Sequence, residues 1–95
     1  MPAYMVAEIE VKDPARYEEY RRGVQATIDR YGGRFLVRGG AAELVEGSGA
    51  PKRVVVLEFP SMERLRQWYD SPEYVPLREL RKSASEGRFI MVQGV

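Results

Sequence analysis

Three stretches of this chain alternate with a period of two, and in each the apolar residues fill one whole side. From Tyr4 to Val11, Met5, Ala7, Ile9 and Val11 fall on one side and Tyr4, Val6, Glu8 and Glu10 on the other. Arg34 to Arg38 adds Phe35 and Val37 to the apolar side, and Val54 to Phe59 adds Val55, Leu57 and Phe59. A face that uniform needs a cover of its own. The reverse side keeps Val6, Leu36, Val54 and Val56, too apolar for free contact with water. The chain is therefore expected to build a sheet covered by its own helices on one side and by a second subunit on the other.

The helices announce themselves. Asp13-Pro14 supplies a cap and a first-turn proline. Tyr17, Tyr20, Val24, Ile28 and Tyr31 then recur at spacings of three and four, one stripe of a helix. Gly32-Gly33 is expected to stop it, with Gly33 in the left-handed conformation. The second strand is expected to be interrupted at Gly39-Gly40 and to resume through Glu46, before a hairpin loop at Gly47 to Pro51. Pro60-Ser61 opens a short helix carrying Met62, Leu65, Trp68 and Tyr69. Ser71-Pro72 repeats the start signal ahead of the stripe Leu77, Leu80 and Ala84. Gly87 returns the chain to a last strand, Phe89 to Val92 or beyond. The order strand, helix, strand, strand, helix, strand predicts an α+β fold: a ferredoxin-like βαββαβ sandwich of residues 1–95, one domain, with a four-stranded antiparallel sheet and helices on one face.

Composition narrows the chemistry. The 95 residues contain no Cys and no His, which excludes thiol nucleophiles, thiolate zinc sites, imidazole bases and imidazole haem ligands. Acid–base work must fall to Glu, Asp, Tyr or Lys. No glycine loop precedes a helix to cradle a phosphate: Gly32-Gly33 and Gly39-Gly40 follow a helix or sit in a strand. No tightly held cofactor and no transition metal are therefore expected. A net charge of +1 argues against a nucleic-acid platform. Met1 to Tyr4 lacks a basic signal-peptide start, and no apolar run reaches the ~20 residues that cross a bilayer, so no membrane contact and a cytoplasmic location are expected.

The segments DPARYEEY (13–20), GGRFLVRGG (32–40), VVVLEFPS (54–61), WYDSPEY (68–74) and FIMVQGV (89–95) resemble the small bacterial family catalogued as domain of unknown function 1330, within the dimeric α/β-barrel superfamily. The likeness runs through essentially the whole chain in the right order. It implies a homodimer in which two four-stranded sheets face each other, and it implies no activity. Superfamily relatives include cofactor-free monooxygenases and lactone isomerases, a likeness of fold alone. Some of them use a pocket His that this chain lacks.

Two groups of residues are candidates for function. On the reverse side, Glu8, Glu10, Glu58, Arg34 and Arg38 project together if the register runs unbroken from Arg34. With the first and third strands taken as parallel neighbours, Glu10 is expected near Glu58, a pair that would raise one carboxyl's proton affinity. The competing and favoured expectation is that Arg34 and Arg38 neutralise them at a dimer face. On the helix side, Arg81 borders the Leu77/Leu80/Ala84 stripe among Tyr17, Trp68, Tyr69 and Tyr74. Arg81 with Tyr69 or Tyr74 is the first candidate for holding an anionic ligand, and Glu58 with Arg38 is the second. The competing and favoured expectation is that the rings are core, with Arg81 snorkelling to solvent or paired with Glu73, Asp70 or a carbonyl. The catalytic residue, if there is one, is unassigned. The expected function is a cytosolic homodimer that binds a small anionic or aromatic organic molecule, with chemistry that needs no cofactor as its extension. The alternative is a non-catalytic dimerisation module.

Overall fold

In the computed structural model, which describes residues 1–95, Asp13 caps the first helix by accepting from the Arg16 N–H at 3.2 Å, and Pro14 occupies its first turn. The elements are β1 (Ala3–Val11), α1 (Pro14–Arg30), β2 (Arg34–Arg38), β3 (Arg53–Phe59), α2 (Met62–Tyr69), α3 (Val75–Ala84) and β4 (Ser85–Gln93). The sheet order is β2-β3-β1-β4, with every neighbouring pair antiparallel. This is the expected α+β topology, with the second helical segment broken into two, so three helices lie on the sheet. The chain measures 35 × 34 × 17 Å. It is two layers thick, with all of the chain's own helices on one side of the sheet.

The register explains the core. Met5 lies opposite Leu57 and Met91, and Ala7 opposite Val55 and Phe89. These side chains point at the helices together with Ala3, Ile9 and Phe59. From above, α1 contributes Tyr17, Tyr20, Val24 and Ile28, α2 contributes Leu65 and Trp68, and the turn before α3 contributes Tyr74. Burying five or six such side chains supplies roughly 1.5–3 kcal/mol each against chain entropy.

Five expectations need correction. Gly32, not Gly33, takes the left-handed conformation (φ +79°). The helix ends in a Schellman turn, with the Gly33 N–H donating to the Ile28 carbonyl and the Gly32 N–H to that of Asp29. Gly33 is required for space, because a Cβ there would strike the Phe59 ring. The second strand does not resume after Gly39-Gly40: residues 40–52 are irregular, and the last β2–β3 pair is Arg38 with Val55. Ser71-Pro72 opens a turn instead of a helix. The Ser71 hydroxyl donates to the Trp68 carbonyl and accepts from the Tyr74 N–H, while Pro76 occupies the first turn of α3. The first and third strands are antiparallel, which carries Glu10 away from Glu58 to Lys12 (3.2 Å) and Lys52 (3.4 Å).

The fifth correction moves a charge between faces. Between Phe35 and Val37, β2 contains one extra residue, so Val37 pairs with Val56 and Arg38 with Val55. A bulge reverses the orientation of everything after it. Val37 therefore joins the reverse face and Arg38 joins the helix side.

Candidate functional site

The bulge and the start of β3 together aim two arginines toward α1. Arg53 lies opposite Ile9 and so points to the helix side like Val55 and Leu57. Arg38 follows the bulge onto the same side. With Arg21 of α1 they border a narrow, nearly closed cleft between the helices and the sheet, with a free volume of about 30 Å³, room for one or two waters. Tyr17, Tyr20, Phe35, Trp68, Tyr74 and Phe89 bring aromatic surface to this cleft, and no carboxylate lines it.

The floor of the cleft is aromatic, and two sets of polar contacts lie behind it. Trp68 stacks on Tyr74 with ring centres 4.0 Å apart and lies 5.3 Å from Phe59. Its indole N–H donates to Thr27 Oγ1 at 3.0 Å. The phenol oxygens of Tyr20 and Tyr74 are 2.9 Å apart, and Arg81 Nε donates to the Tyr74 hydroxyl at 3.4 Å. Burial, followed by the Tyr74 neighbour, pushes the Tyr20 phenol far above the ordinary range. At neutral pH that hydroxyl is a hydrogen-bond donor and not a base.

Arg81, which reaches Tyr74 from behind the cleft, is the anomaly. It is only 3% exposed, and its guanidinium lies 3.9 Å over the Phe89 ring. It has no ion pair, and its buried Nη2 has no partner. Neither local carboxylate takes it: Glu73 accepts from Tyr31 at 2.6 Å and Asp70 pairs with Arg78 at 3.1 Å. Arg81 therefore neither snorkels nor pairs locally.

The structure sorts the seven candidates into three places. Tyr17, Trp68, Tyr74 and Arg38 line the cleft. Tyr69 and Arg81 border an open groove on the other side of Phe89, with Arg81 reaching Tyr74 from behind. Glu58 stands apart on the reverse face. Arg34 donates to it from Nε at 2.8 Å, and the Tyr4 hydroxyl does so at 3.0 Å. Those two donors, Arg34 first, hold the Glu58 carboxyl below the usual carboxylate range. The expected pairing of Glu58 with Arg38 is absent: Glu58 lies opposite Arg34, and Arg38 lies opposite Val55, three residues along β3 and on the other face. Arg21 and Arg53 were not foreseen, yet both had a signal. Arg21 falls four residues after Tyr17 on the helical stripe, and Arg53 extends the alternation Val55, Leu57, Phe59 by one step.

No cluster of three or more Asp or Glu groups is arranged to hold a metal, and no helix is long and apolar enough to cross a membrane.

Solved structures show the same fold at low identity. The chain is similar to the RPA0582 protein of unknown function from Rhodopseudomonas palustris, with a TM-score of 0.82 and 19% identity over 99% of this chain and 82% of that one. A dimeric ferredoxin-like protein of unknown function from Jannaschia sp. CCS1 matches with a TM-score of 0.74 and 10% identity, covering 99% and 100% of the two chains. SnoaB, a cofactor-independent oxygenase from Streptomyces nogalater, matches with a TM-score of 0.68 and 16% identity over 99% and 93%. No curated protein matches the sequence. The sequence profile of one family covers residues 2–95, and on that match the chain belongs to DUF1330, a domain of unknown function.

Proposed function

We propose that the protein is a homodimer, joined through the reverse faces of its two sheets, that binds a small anionic or aromatic organic molecule in the helix–sheet cleft of each subunit. The observation that carries the ligand reading is Arg81. A buried guanidinium with no carboxylate costs stability, so its presence points to a use other than stability, and this one is directed at the hydroxyl of a cleft-lining tyrosine. The dimer reading rests on the reverse face, where Val37, Ile90 and Val92 are exposed beside Val6, Val54 and Val56. A second copy of the same surface is the simplest cover for such a patch.

Cofactor-independent chemistry is an extension of this reading, in keeping with a neighbour of the same fold that is a cofactor-independent oxygenase. The groups available for it are the Tyr20 and Tyr74 phenols backed by Arg81, which would stabilise negative charge developing on a bound molecule.

The test is a thermal-stability screen against a metabolite panel, since a specific ligand raises the midpoint by mass action. A hit is expected with wild-type protein and is expected to vanish in Arg81→Met while the fold persists. Absence of any hit, with Arg81→Met unfolded, would return Arg81 to a structural role and leave the dimerisation module as the better reading.

A further inference from the structure

The cleft has two ends, and they differ in charge. Its floor is aromatic. Its mouth carries Arg21, Arg38 and Arg53, and only Arg21 has an acidic partner, Glu18 at 3.2 Å. Arg38 donates to the Gln25 side chain at 3.3 Å and to the Arg21 carbonyl at 3.4 Å, both neutral acceptors, and lies 4.2 Å over the Phe35 ring. Arg53 reaches one neutral acceptor, the Arg38 carbonyl, at 3.5 Å and sits 5.7 Å over the Tyr17 ring. The Nε atoms of Arg21 and Arg53 are buried with no hydrogen-bond partner. Buried donors are ordinarily satisfied, so two orphans at one mouth call for an acceptor.

The backbone is adapted to this arrangement. The bulge turns Arg38 inward. Gly39, at φ +71°, leaves room for the Arg53 guanidinium, which a Cβ there would displace. Guanidinium forks match the planar oxygens of carboxylates and the oxygens of phosphates, and stacking on a ring holds the fork in place.

We infer that Arg21, Arg38 and Arg53 form the head-group site of an amphipathic acid: a molecule with one anionic group held at the mouth and one aromatic ring that enters toward Tyr17, Trp68 and Tyr74 only as those side chains part, since the closed cleft has a free volume of about 30 Å³. This rests on the ligand reading of the cleft and sharpens it from an anionic or aromatic molecule to one that is both. It also separates two roles. The mouth arginines bind the head, and Arg81 acts through Tyr74 on the ring end.

Three probes of equal length test the inference, each titrated into the dimer and followed by NMR shifts of the Trp68 indole N–H: 3-phenylpropanoate, phenethyl phosphate and neutral 3-phenylpropanamide. At least one anion is expected to bind tenfold or more tightly than the amide, and the tighter one identifies the head as carboxylate or phosphate. In Arg38→Gln/Arg53→Gln, amide binding is expected to persist while the tenfold advantage is lost. The single variant Arg38→Gln, exposed and free of ion pairs, is expected to lose part of it and serves if the double variant fails to fold. Equal binding of anion and amide to wild type, or an advantage that survives in the variants, overturns the head-group site and leaves the cleft as a binding site. No shift with any probe at millimolar concentration overturns both readings.

Discussion

On the reverse face of the sheet, Arg34 and Tyr4 both donate to Glu58, and Glu10 is shared by Lys12 and Lys52. On the helix side, Arg81 is buried without a carboxylate, and Arg38 and Arg53 border the cleft with neutral acceptors only. The reverse face thus pairs Glu58 and Glu10 and exposes its valines, whereas the helix side hides its apolar groups and leaves Arg38, Arg53 and Arg81 without a carboxylate. Matched charges beside an apolar patch suit self-association, where each must be satisfied before water is removed. Unmatched guanidiniums in an aromatic cleft suit a ligand that brings its own negative charge.

The largest test of this contrast is Val56→Asp, at the centre of the reverse face. Sedimentation at micromolar concentration is expected to give about twice the 10.9 kDa chain mass for wild type. The variant is expected to be monomeric or unfolded, because an unpaired buried charge costs several kcal/mol. A folded wild-type monomer would remove the reverse face from the comparison. Next in size is Tyr20→Ala, expected to lower unfolding free energy by roughly 3–5 kcal/mol in a denaturant titration, as for other large aromatic truncations. Tyr20→Phe, which keeps the ring and removes the Tyr74 contact, is expected to cost about 1 kcal/mol. A loss below about 0.5 kcal/mol for the alanine variant would mean that the ring contributes no more than a surface side chain.

Arg81→Met sharpens the contrast in the opposite direction. Exchanging a buried, unpaired charge for an apolar side chain of similar length is expected to leave stability unchanged or to raise it by about 1–3 kcal/mol. A large loss would show that the fold itself depends on the guanidinium. The smallest effect belongs to Glu58. Its depressed carboxyl contributes stability above the ordinary carboxylate pKa, and that contribution disappears as pH falls through the folded value. NMR titration of the carboxyl is expected to give a midpoint below the usual range, moved upward in Arg34→Gln. A midpoint that stays put would show that Arg34 contributes nothing at this surface site.

Much of the fold was legible because its signals are local. The Asp13-Pro14 cap, the tyrosine stripe of α1 and the alternation of β1 and β3 each depend on residues a few positions apart. The errors lay where two strands had to be compared. Leu36 is apolar and fits either face, so nothing in Arg34 to Arg38 marks the extra residue that turns Arg38 inward; the Gly39-Gly40 pair suggests an irregularity, but after it has occurred. The relation of Glu10 to Glu58 depends on strand direction, which side-chain alternation does not encode. Leu44 and Val45 look strand-forming yet are exposed, because a strand needs a partner as well as a pattern. At the site, Tyr17, Trp68 and Tyr74 were legible as an aromatic cluster. The Tyr20–Tyr74–Arg81 contacts were not, since residues 54 and 7 positions apart meet only once the turn at Ser71 has placed Tyr74 beneath α1.

The extra residue at Leu36 has an evolutionary consequence. A bulge absorbs one inserted codon: Leu36 drops out of the ladder, and Val37 and Arg38 keep the faces they would have in a strand one residue shorter. Straightening β2 with Leu36 retained would instead set Val37 opposite Val55 and Arg38 opposite Val54, bringing the valine to the helix side and sending the arginine to the reverse face. Gain or loss of the codon together with its bulge is therefore silent for the two faces, whereas loss of the bulge alone is not. An alignment with a relative that lacks the bulge must place its gap at Leu36 for Arg38 to meet a residue of the same face.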